Sequence, residues 1–190
     1  MNTLPQIASV SWMVYGIYWA LSARGVKKDR KRNRRWWDSF LFRFLIVLAI
    51  AIFPWYRLPF GPPRSFFLPT SNSVLRIIGL VLCEGGIAFA IWARREIRRN
   101  WSSGPAIKEG HELITSGPYS MVRHPIYTGI LTALLGTSIL CGVQWCIVLW
   151  FIGTTFVFRI PEEKIFMTQL FPNLYSEYKK STAALVPFIW

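Results

Sequence analysis

Long apolar runs alternate with short basic segments along the chain. Three of the runs each predict one membrane helix, because about 20 apolar residues cross roughly 30 Å of hydrocarbon. These runs are 7–23, 37–56 and 74–92. A fourth run, 126–158, is tight for two full spans and is interrupted by Cys141 and Gly142, so it predicts a hairpin of two short or tilted helices. The pattern predicts an all-α integral membrane protein with about five transmembrane helices, in a single domain over 1–190.

The first run is short for a span, and a secretory signal peptide is the alternative. No Lys or Arg precedes the run, although signal peptides usually start with a positive charge. We therefore interpret 7–23 as a membrane helix.

Basic residues are concentrated in two of the connecting segments, 24–35 and 94–99, whereas 57–72 is much less basic. Positively charged loops stay on the cytoplasmic side. The sequence therefore predicts an external N-terminus, with 24–35, 94–124 and the C-terminal tail inside. The 24–35 run could also contact anionic lipids, but topology alone explains its charge.

The composition supports a membrane protein. The chain has 190 residues, 53% of them hydrophobic, with ten Trp, fourteen Phe and a formal net charge of +13. A soluble protein of this size could hardly bury so much apolar surface. A nucleic-acid-binding protein is the other interpretation of a basic chain, but it would not need basic residues to alternate with membrane-length apolar blocks. We predict a lipid bilayer and no nucleic acid as partner; the oligomeric state is not determined.

The cysteines and histidines do not form a metal-binding pattern. Cys83, Cys141 and Cys146 lie in apolar runs, where they predict structural thiols. His111 and His124 are the only histidines and are thirteen residues apart, so no metal site is predicted.

A polar stretch, SGPYSMVRHPIYTG, leads into the fourth apolar run and overlaps its first residues. His124 and Tyr127 are three residues apart at a predicted helix start, so both can face one cavity. Pro125 suits the first helical turn, and a helix N-terminus favours a nearby anion. Beyond the hairpin, Glu162 and Glu163 supply acceptors for positive and hydroxyl groups.

These motifs, Arg-His-Pro-x-Tyr-x-Gly before a hairpin and a Glu pair, two tyrosines and a proline after it, resemble the isoprenylcysteine carboxyl methyltransferase family of integral membrane enzymes. The resemblance covers roughly the C-terminal half, so 94–190 is the predicted catalytic part and 1–93 carries the three single spans. Pro161 and Pro172 depart from the family pattern, but both are backbone changes.

The resemblance implies S-adenosylmethionine as the methyl donor, bound on the cytoplasmic side. It implies that Arg159 contacts the methyl acceptor, which makes it the candidate catalytic and substrate-binding residue. The implied cofactor-binding residues are His111, Glu112, Leu113, Ile114, Tyr119, His124, Pro125, Ile126, Tyr127 and Glu163.

Other interpretations stay open for several polar residues. Arg123 and Arg159 could be interfacial anchors, although the adjacent Glu pair argues against this for Arg159. Tyr175 and Tyr178 are better explained as packing or interfacial residues than as site residues. Glu84 lies mid-span, so it is either functional or held in a buried hydrogen bond.

The predicted function is methyl transfer from S-adenosylmethionine to a lipophilic acceptor, for example a prenylcysteine-type carboxylate, by in-line displacement. Thiols and phospholipid head groups are alternative acceptors, and the sequence does not select among them. An NADPH-dependent enzyme similar to sterol reductases, and a non-enzymatic lipid-binding protein, are the alternative functions. The expected location is multi-pass in the cell membrane, or in the endoplasmic reticulum of a eukaryote, with the catalytic face cytoplasmic.

Overall fold

The computed structural model describes residues 3–32, 70–102 and 106–187. Five α-helices account for most of these residues. They are α1 (Leu4–Ser22), α2 (Ser73–Ile97), α3 (Pro125–Cys141), α4 (Gln144–Leu170) and α5 (Pro172–Ser181). Two 3₁₀ turns, Arg98–Asn100 and Gly117–Ser120, lie between α2 and α3.

Two of the described helices are long and apolar enough to cross a membrane. An 18-residue stretch within the helical segment 73–100 has a mean hydropathy of 2.1, and one within α4 has a mean hydropathy of 1.3, whereas α3 is a shorter apolar helix. The first predicted run is the helix α1, and the third is α2. The predicted span 37–56 lies outside the described residues, so the number of five membrane helices stays a prediction.

Helices α2 and α3 pack antiparallel with their backbones in contact. A Cβ atom on Gly86 would lie 2.4 Å from the backbone nitrogen of Ala133, and one on Gly136 would lie 2.4 Å from the backbone nitrogen of Cys83. Small residues permit this close approach, as they do between membrane helices generally. This close packing therefore fixes the position of α3 relative to α2.

The predicted helical hairpin is present, but its second helix is not short. The chain turns at Gly142, whose φ of 110° suits glycine, and α4 then continues for 27 residues to Leu170. Hydropathy placed the end of this run at Phe158, where polar residues begin. The helix nevertheless continues through Pro161, whose missing N–H removes only one backbone hydrogen bond. Arg159 and Glu163 therefore lie on the same helix as the apolar span.

The helical class is confirmed apart from one short ribbon that the sequence pattern did not predict. Strands β1 (Asp29–Arg32) and β2 (Ala106–Lys108) pair antiparallel. The basic segment after α1 is thus hydrogen-bonded to the segment that follows α2.

The chain after α5 returns to the start of α3. The backbone N–H groups of Arg123 and His124 donate to the carbonyls of Ala183 and Ala184 at 2.9 and 3.1 Å. The Thr128 hydroxyl donates to the carbonyl of Leu185 at 2.7 Å. These contacts fix the position of the α3 N-terminus.

Candidate active site

One carboxylate, that of Glu163, gathers three side chains from two helices. The Nε of Arg159 and the hydroxyl of Tyr127 both donate to Oε1 of Glu163 at 2.6 Å. The Nδ1 of His124 lies 3.2 Å from the other oxygen, Oε2. The four residues are called the Glu163 cluster below. They lie where the N-terminus of α3 meets the polar half of α4.

Local structure explains this placement. Pro125 occupies the first turn of α3, and His124 is the N-cap residue. The rings of His124 and Tyr127 are stacked, with 5.4 Å between centroids and 5° between planes. This confirms the predicted helix start and shows that both rings lie on one side of it. Arg159 and Glu163 are one turn apart on α4, and they form an i, i+4 ion pair.

The charges of the cluster are largely removed from solvent. The Arg159 side chain is 9% exposed and that of Glu163 is 20% exposed. The Arg159 guanidinium carbon also lies 5.4 Å from the Tyr127 ring centroid. Buried charges persist when they are paired and hydrogen-bonded, and both conditions are met here. The cluster is therefore a fixed arrangement of charge.

The second ring nitrogen of His124, Nε2, is buried and has no hydrogen-bond partner among the described residues. A buried polar atom without a partner is costly. Because Glu163 occupies Nδ1, Nε2 is the atom of this ring that can still bind a ligand group.

Phe156 is a site residue that sequence reasoning missed. Its ring stacks on Tyr127 with 3.9 Å between centroids, and both rings are buried. It was one of fourteen phenylalanines, most of them in apolar runs. The available signal was its position three residues before Arg159, which places the two on the same face of α4.

The SGPY turn is held by the tyrosine of α5. The Tyr178 hydroxyl donates to the carbonyl of Tyr119 at 2.6 Å, and burial raises the pKa of both phenols. Tyr119 packs in the same apolar cluster as Tyr127 and Phe156. Tyr175 is buried and lies edge-on against Tyr178. These contacts are the packing roles expected for Tyr175 and Tyr178.

The predicted cofactor residues 111–114 lie in different surroundings. Ile114 packs against the apolar residues around Tyr119, and the His111 ring lies 6.1 Å from that of Phe171, between α4 and α5. Glu112 is exposed and forms a 3.0 Å ion pair with Lys27. The hydrogen bond and charge of Lys27 hold the pKa of Glu112 below its usual value.

The structure thus brings His124, Tyr127, Arg159 and Glu163 into direct contact, with Tyr119 and Ile126 packed beside them. Pro125 is buried in the first turn of α3, and Leu113 is half-buried. Arg123 points elsewhere, since its guanidinium donates to the carbonyls of Lys179 and Thr182 at the end of α5.

Glu84 lies in a separate polar contact between α1 and α2. The Ser11 hydroxyl donates to its Oε2 at 2.8 Å, while Oε1 is buried without a partner in the described part of the chain. The three cysteines are free thiols. No group of three or more His, Cys, Asp or Glu residues that could hold a metal occurs within 3–32, 70–102 and 106–187.

Together, the apolar helices and the buried Glu163 cluster define a helical protein of membrane type with a polar site at one end of a hairpin. The sequence model of the phospholipid methyltransferase family matches residues 74–173, which include α2 apart from Ser73, all of α3 and α4, and the whole Glu163 cluster. The match covers more than half of the chain, and the chain belongs to this family.

Curated relatives carry a more specific name. Protein-S-isoprenylcysteine O-methyltransferase B of Arabidopsis thaliana is 36% identical over 153 residues, which cover 75% of this chain and 68% of the relative. Protein-S-isoprenylcysteine O-methyltransferase A of the same plant is 40% identical over 87 residues, or 43% of each chain. The human protein-S-isoprenylcysteine O-methyltransferase is 37% identical over 84 residues, which cover 42% of this chain and 28% of the human one. The predicted family resemblance is confirmed, and the matches to the A-type and human proteins span less than half of their length.

Proposed function

We propose that the protein transfers a methyl group from S-adenosylmethionine to a lipophilic acceptor. The observation that carries the proposal is the Glu163 cluster, in which one carboxylate orients a histidine, a tyrosine and an arginine at the end of an apolar hairpin. The family and the names of the relatives support the same reaction class. They do not favour an NADPH-dependent reductase or a non-enzymatic lipid-binding protein.

The residues present fit the methyl donor. Its ammonium and ribose hydroxyls need acceptors, which Glu163 supplies, and its carboxylate needs a donor, which Nε2 of His124 supplies when protonated. This nitrogen is buried and has no hydrogen-bond partner among the described residues, so it fits a group that a ligand brings. The α3 N-terminus adds a partial positive charge close to the His124 ring. Apolar side chains beside Tyr119 and Ile114 are suited to the adenine. When bound, S-adenosylmethionine supplies an electrophilic methyl group.

Arg159 is assigned to the acceptor. Its guanidinium is fixed by Glu163 and by the Tyr127 ring, so it presents a positive charge in a defined orientation. A carboxylate or thiolate acceptor is already nucleophilic and needs no strong general base. The protein then contributes orientation, exclusion of water and placement of charge.

A groove between α3 and α4 supports a lipophilic acceptor. It has a volume of about 550 Å³, its lining is almost entirely apolar, and it reaches Val157 and Phe158, directly before Arg159 in α4. Other lining side chains are Leu131, Leu135, Leu149 and Trp150. An acceptor with a hydrocarbon chain could lie in this groove while its polar end approaches Arg159. The names of the relatives favour a prenylcysteine-type carboxylate over a thiol or a phospholipid head group.

The site is proposed to face the cytoplasm, in a multi-pass protein with five spans. The basic segments 24–35 and 94–99 support this orientation. The methyl donor is made in the cytoplasm, whereas a lipophilic acceptor reaches the site from the bilayer.

The function is tested with purified full-length protein in lipid nanodiscs. S-adenosylhomocysteine should bind in calorimetry and NADPH should not. Glu163→Asp keeps the charge beside Arg159 but draws the carboxylate back, and it should weaken the binding about ten- to a hundredfold, because a charge-assisted hydrogen bond is worth about 1.5–3 kcal/mol. Exposed Glu177 on α5 offers the matched control Glu177→Asp, which should bind like wild type. Binding of NADPH in place of S-adenosylhomocysteine would overturn the proposal. Methyl transfer to prenylcysteine, thiol and amine acceptors then identifies the acceptor class.

A further inference from the structure

We propose that Lys27, in the basic segment after α1, is a positioning residue for the methyl-donor site. It acts by fastening the segment 109–112, which leads directly into Leu113 and Ile114. The inference rests on the proposed function, because it concerns how tightly the same site binds its donor. The sequence analysis explained the charge of this segment by membrane topology, with contact to anionic lipids as a further possibility.

The Lys27 ammonium contacts three acceptors that come from two different parts of the chain. Its Nζ lies 2.9 Å from Oδ1 of Asn100 and 3.0 Å from Oε1 of Glu112, and it also donates to the carbonyl of Gly110. The Lys27 side chain is 22% exposed, whereas that of Glu112 is 67% exposed. The lysine is therefore the enclosed partner, and the acceptors surround it.

Backbone hydrogen bonds also join the chain at Lys27 and Lys28 to the segments that follow α2. The N–H of Lys27 donates to the carbonyl of Arg99 at 3.0 Å, and the N–H of Glu109 donates to the carbonyl of Lys28 at 3.1 Å. The β1–β2 ribbon begins immediately after these contacts. The segment 27–32 is thus joined to Arg99 and to 106–109 by backbone hydrogen bonds, and Lys27 adds side-chain contacts to Asn100, Gly110 and Glu112.

The chemistry of the contact is specific for lysine. An ammonium has three N–H donors, and three acceptors lie within hydrogen-bond distance of this one. A guanidinium has its donors in one plane and suits a two-pronged acceptor instead. Gly110, with a φ of 57°, turns its carbonyl toward the lysine in a conformation that other residues rarely adopt.

Loss of the Lys27 contacts should make the methyl-donor site less ordered without altering the side chains of the Glu163 cluster. Ile114 packs against the apolar cluster that contains Tyr119 and Tyr127, so the position of 109–112 determines how the chain enters that cluster. A segment that is no longer held must be ordered when the ligand binds, and this lowers affinity. Once the donor saturates the site, the Glu163 cluster is the same as in wild type. The effect should therefore appear in KM for the donor and not in kcat.

The test compares Lys27→Met with Lys28→Met in full-length protein in nanodiscs. Lys28 is the exposed neighbour, so its replacement removes the same charge from the same segment. Lys27→Met should weaken S-adenosylhomocysteine binding about tenfold, and raise KM for the donor by a similar factor, with kcat changed less than about twofold. Lys28→Met should match wild type, and Lys27→Arg should restore only part of the affinity. Hydrogen exchange at the Glu109 amide should be faster in Lys27→Met than in wild type.

Two outcomes would overturn the role of Lys27. One is unchanged binding in Lys27→Met, and the other is an equal loss in Lys27→Met and Lys28→Met, which would show that charge alone matters. Wild-type protein that binds no S-adenosylhomocysteine would instead overturn the proposed function itself. Faster exchange at Glu109 in Lys27→Met would still show the contact in that case, because this readout needs no ligand.

Discussion

Arg159 and Glu163 lie one helical turn apart on α4, with Nε of the arginine 2.6 Å from Oε1 of the glutamate. The residue assigned to the acceptor and the residue assigned to the donor are therefore in direct contact. Removing either charge leaves the other buried without its partner, which is strongly destabilising. Substitutions that keep the charge are needed to separate the two roles.

The first prediction concerns Arg159→Lys, which keeps the charge but loses the planar guanidinium. We expect kcat/KM for the acceptor to fall roughly tenfold, because a point charge cannot reproduce the two-pronged grip on a carboxylate. Affinity for S-adenosylhomocysteine should change less than about threefold, since an ammonium still neutralises Glu163. Methyl-transfer kinetics and calorimetry measure the two quantities. The control is Lys164→Met, which changes an exposed basic residue on the same helix. Normal turnover in Arg159→Lys would show that Arg159 is only a structural partner of Glu163.

The second prediction concerns the phenol of Tyr127. Tyr127→Phe removes the hydroxyl that donates to Glu163 at 2.6 Å and preserves the stacking on Phe156. We expect S-adenosylhomocysteine to bind roughly tenfold more weakly, because a hydrogen bond to a charged group is worth about 1.5–3 kcal/mol. Calorimetry makes the comparison with Tyr175→Phe, in which a buried tyrosine outside the cluster loses its hydroxyl. Equal affinities in the two variants would contradict the assignment.

The third prediction concerns the contact between α2 and α3. An alanine Cβ at Gly86 would lie 2.4 Å from a backbone nitrogen of α3, whereas one at Gly85 would meet nothing within 4 Å. Gly86→Ala should lower the free energy of unfolding by about 1–3 kcal/mol, because α2 and α3 must move apart to make room for the methyl group. Gly85→Ala should have the stability of wild type or better, since alanine favours a helix. Thermal unfolding in detergent measures both; similar unfolding temperatures would show that the helices are not in backbone contact.

The fourth prediction concerns topology. Lys27 and Glu112 form an ion pair, so the segments after α1 and after α2 must lie on the same side of the membrane. In a background in which Cys83, Cys141 and Cys146 are all replaced by serine, single cysteines at Gly25 and at Glu109 should react with an impermeant maleimide only from the cytoplasmic side. A cysteine within 60–72 should react only from outside. Labelling of Gly25 and Glu109 positions from opposite sides would exclude the Lys27 contact in cells.

Much of the architecture could be predicted from the distribution of apolar residues. The first and third runs are α1 and α2, and the turn at Cys141 and Gly142 divides the hairpin as expected. Hydropathy measures how apolar a segment is, and each of these helices is a continuous apolar segment, so hydropathy located them. It failed at the end of α4, because it marks where a helix leaves an apolar environment and not where the backbone hydrogen bonds stop.

The residues of the Glu163 cluster were also accessible from the sequence, since each belongs to a short motif with distinctive side chains. Their roles as ligand-binding groups stay predictions, but their contact with one another is a finding. Spacing indicated that His124 and Tyr127 share a face and that Arg159 and Glu163 share another. It could not show that the two faces meet at a single carboxylate, because that depends on how α3 and α4 cross.

Contacts between segments that are distant in sequence could not be predicted, because they depend on how the whole chain packs. Lys27 and Glu112 are 85 residues apart, and nothing in the local sequence of either one specifies the other. Phe156 could not be distinguished from its neighbours in an apolar run until its ring was placed on Tyr127. Local sequence is sufficient for helix formation and membrane burial, which are properties of short segments. The site depends on relative helix positions, which are fixed by close packing such as that between Gly86 and Ala133.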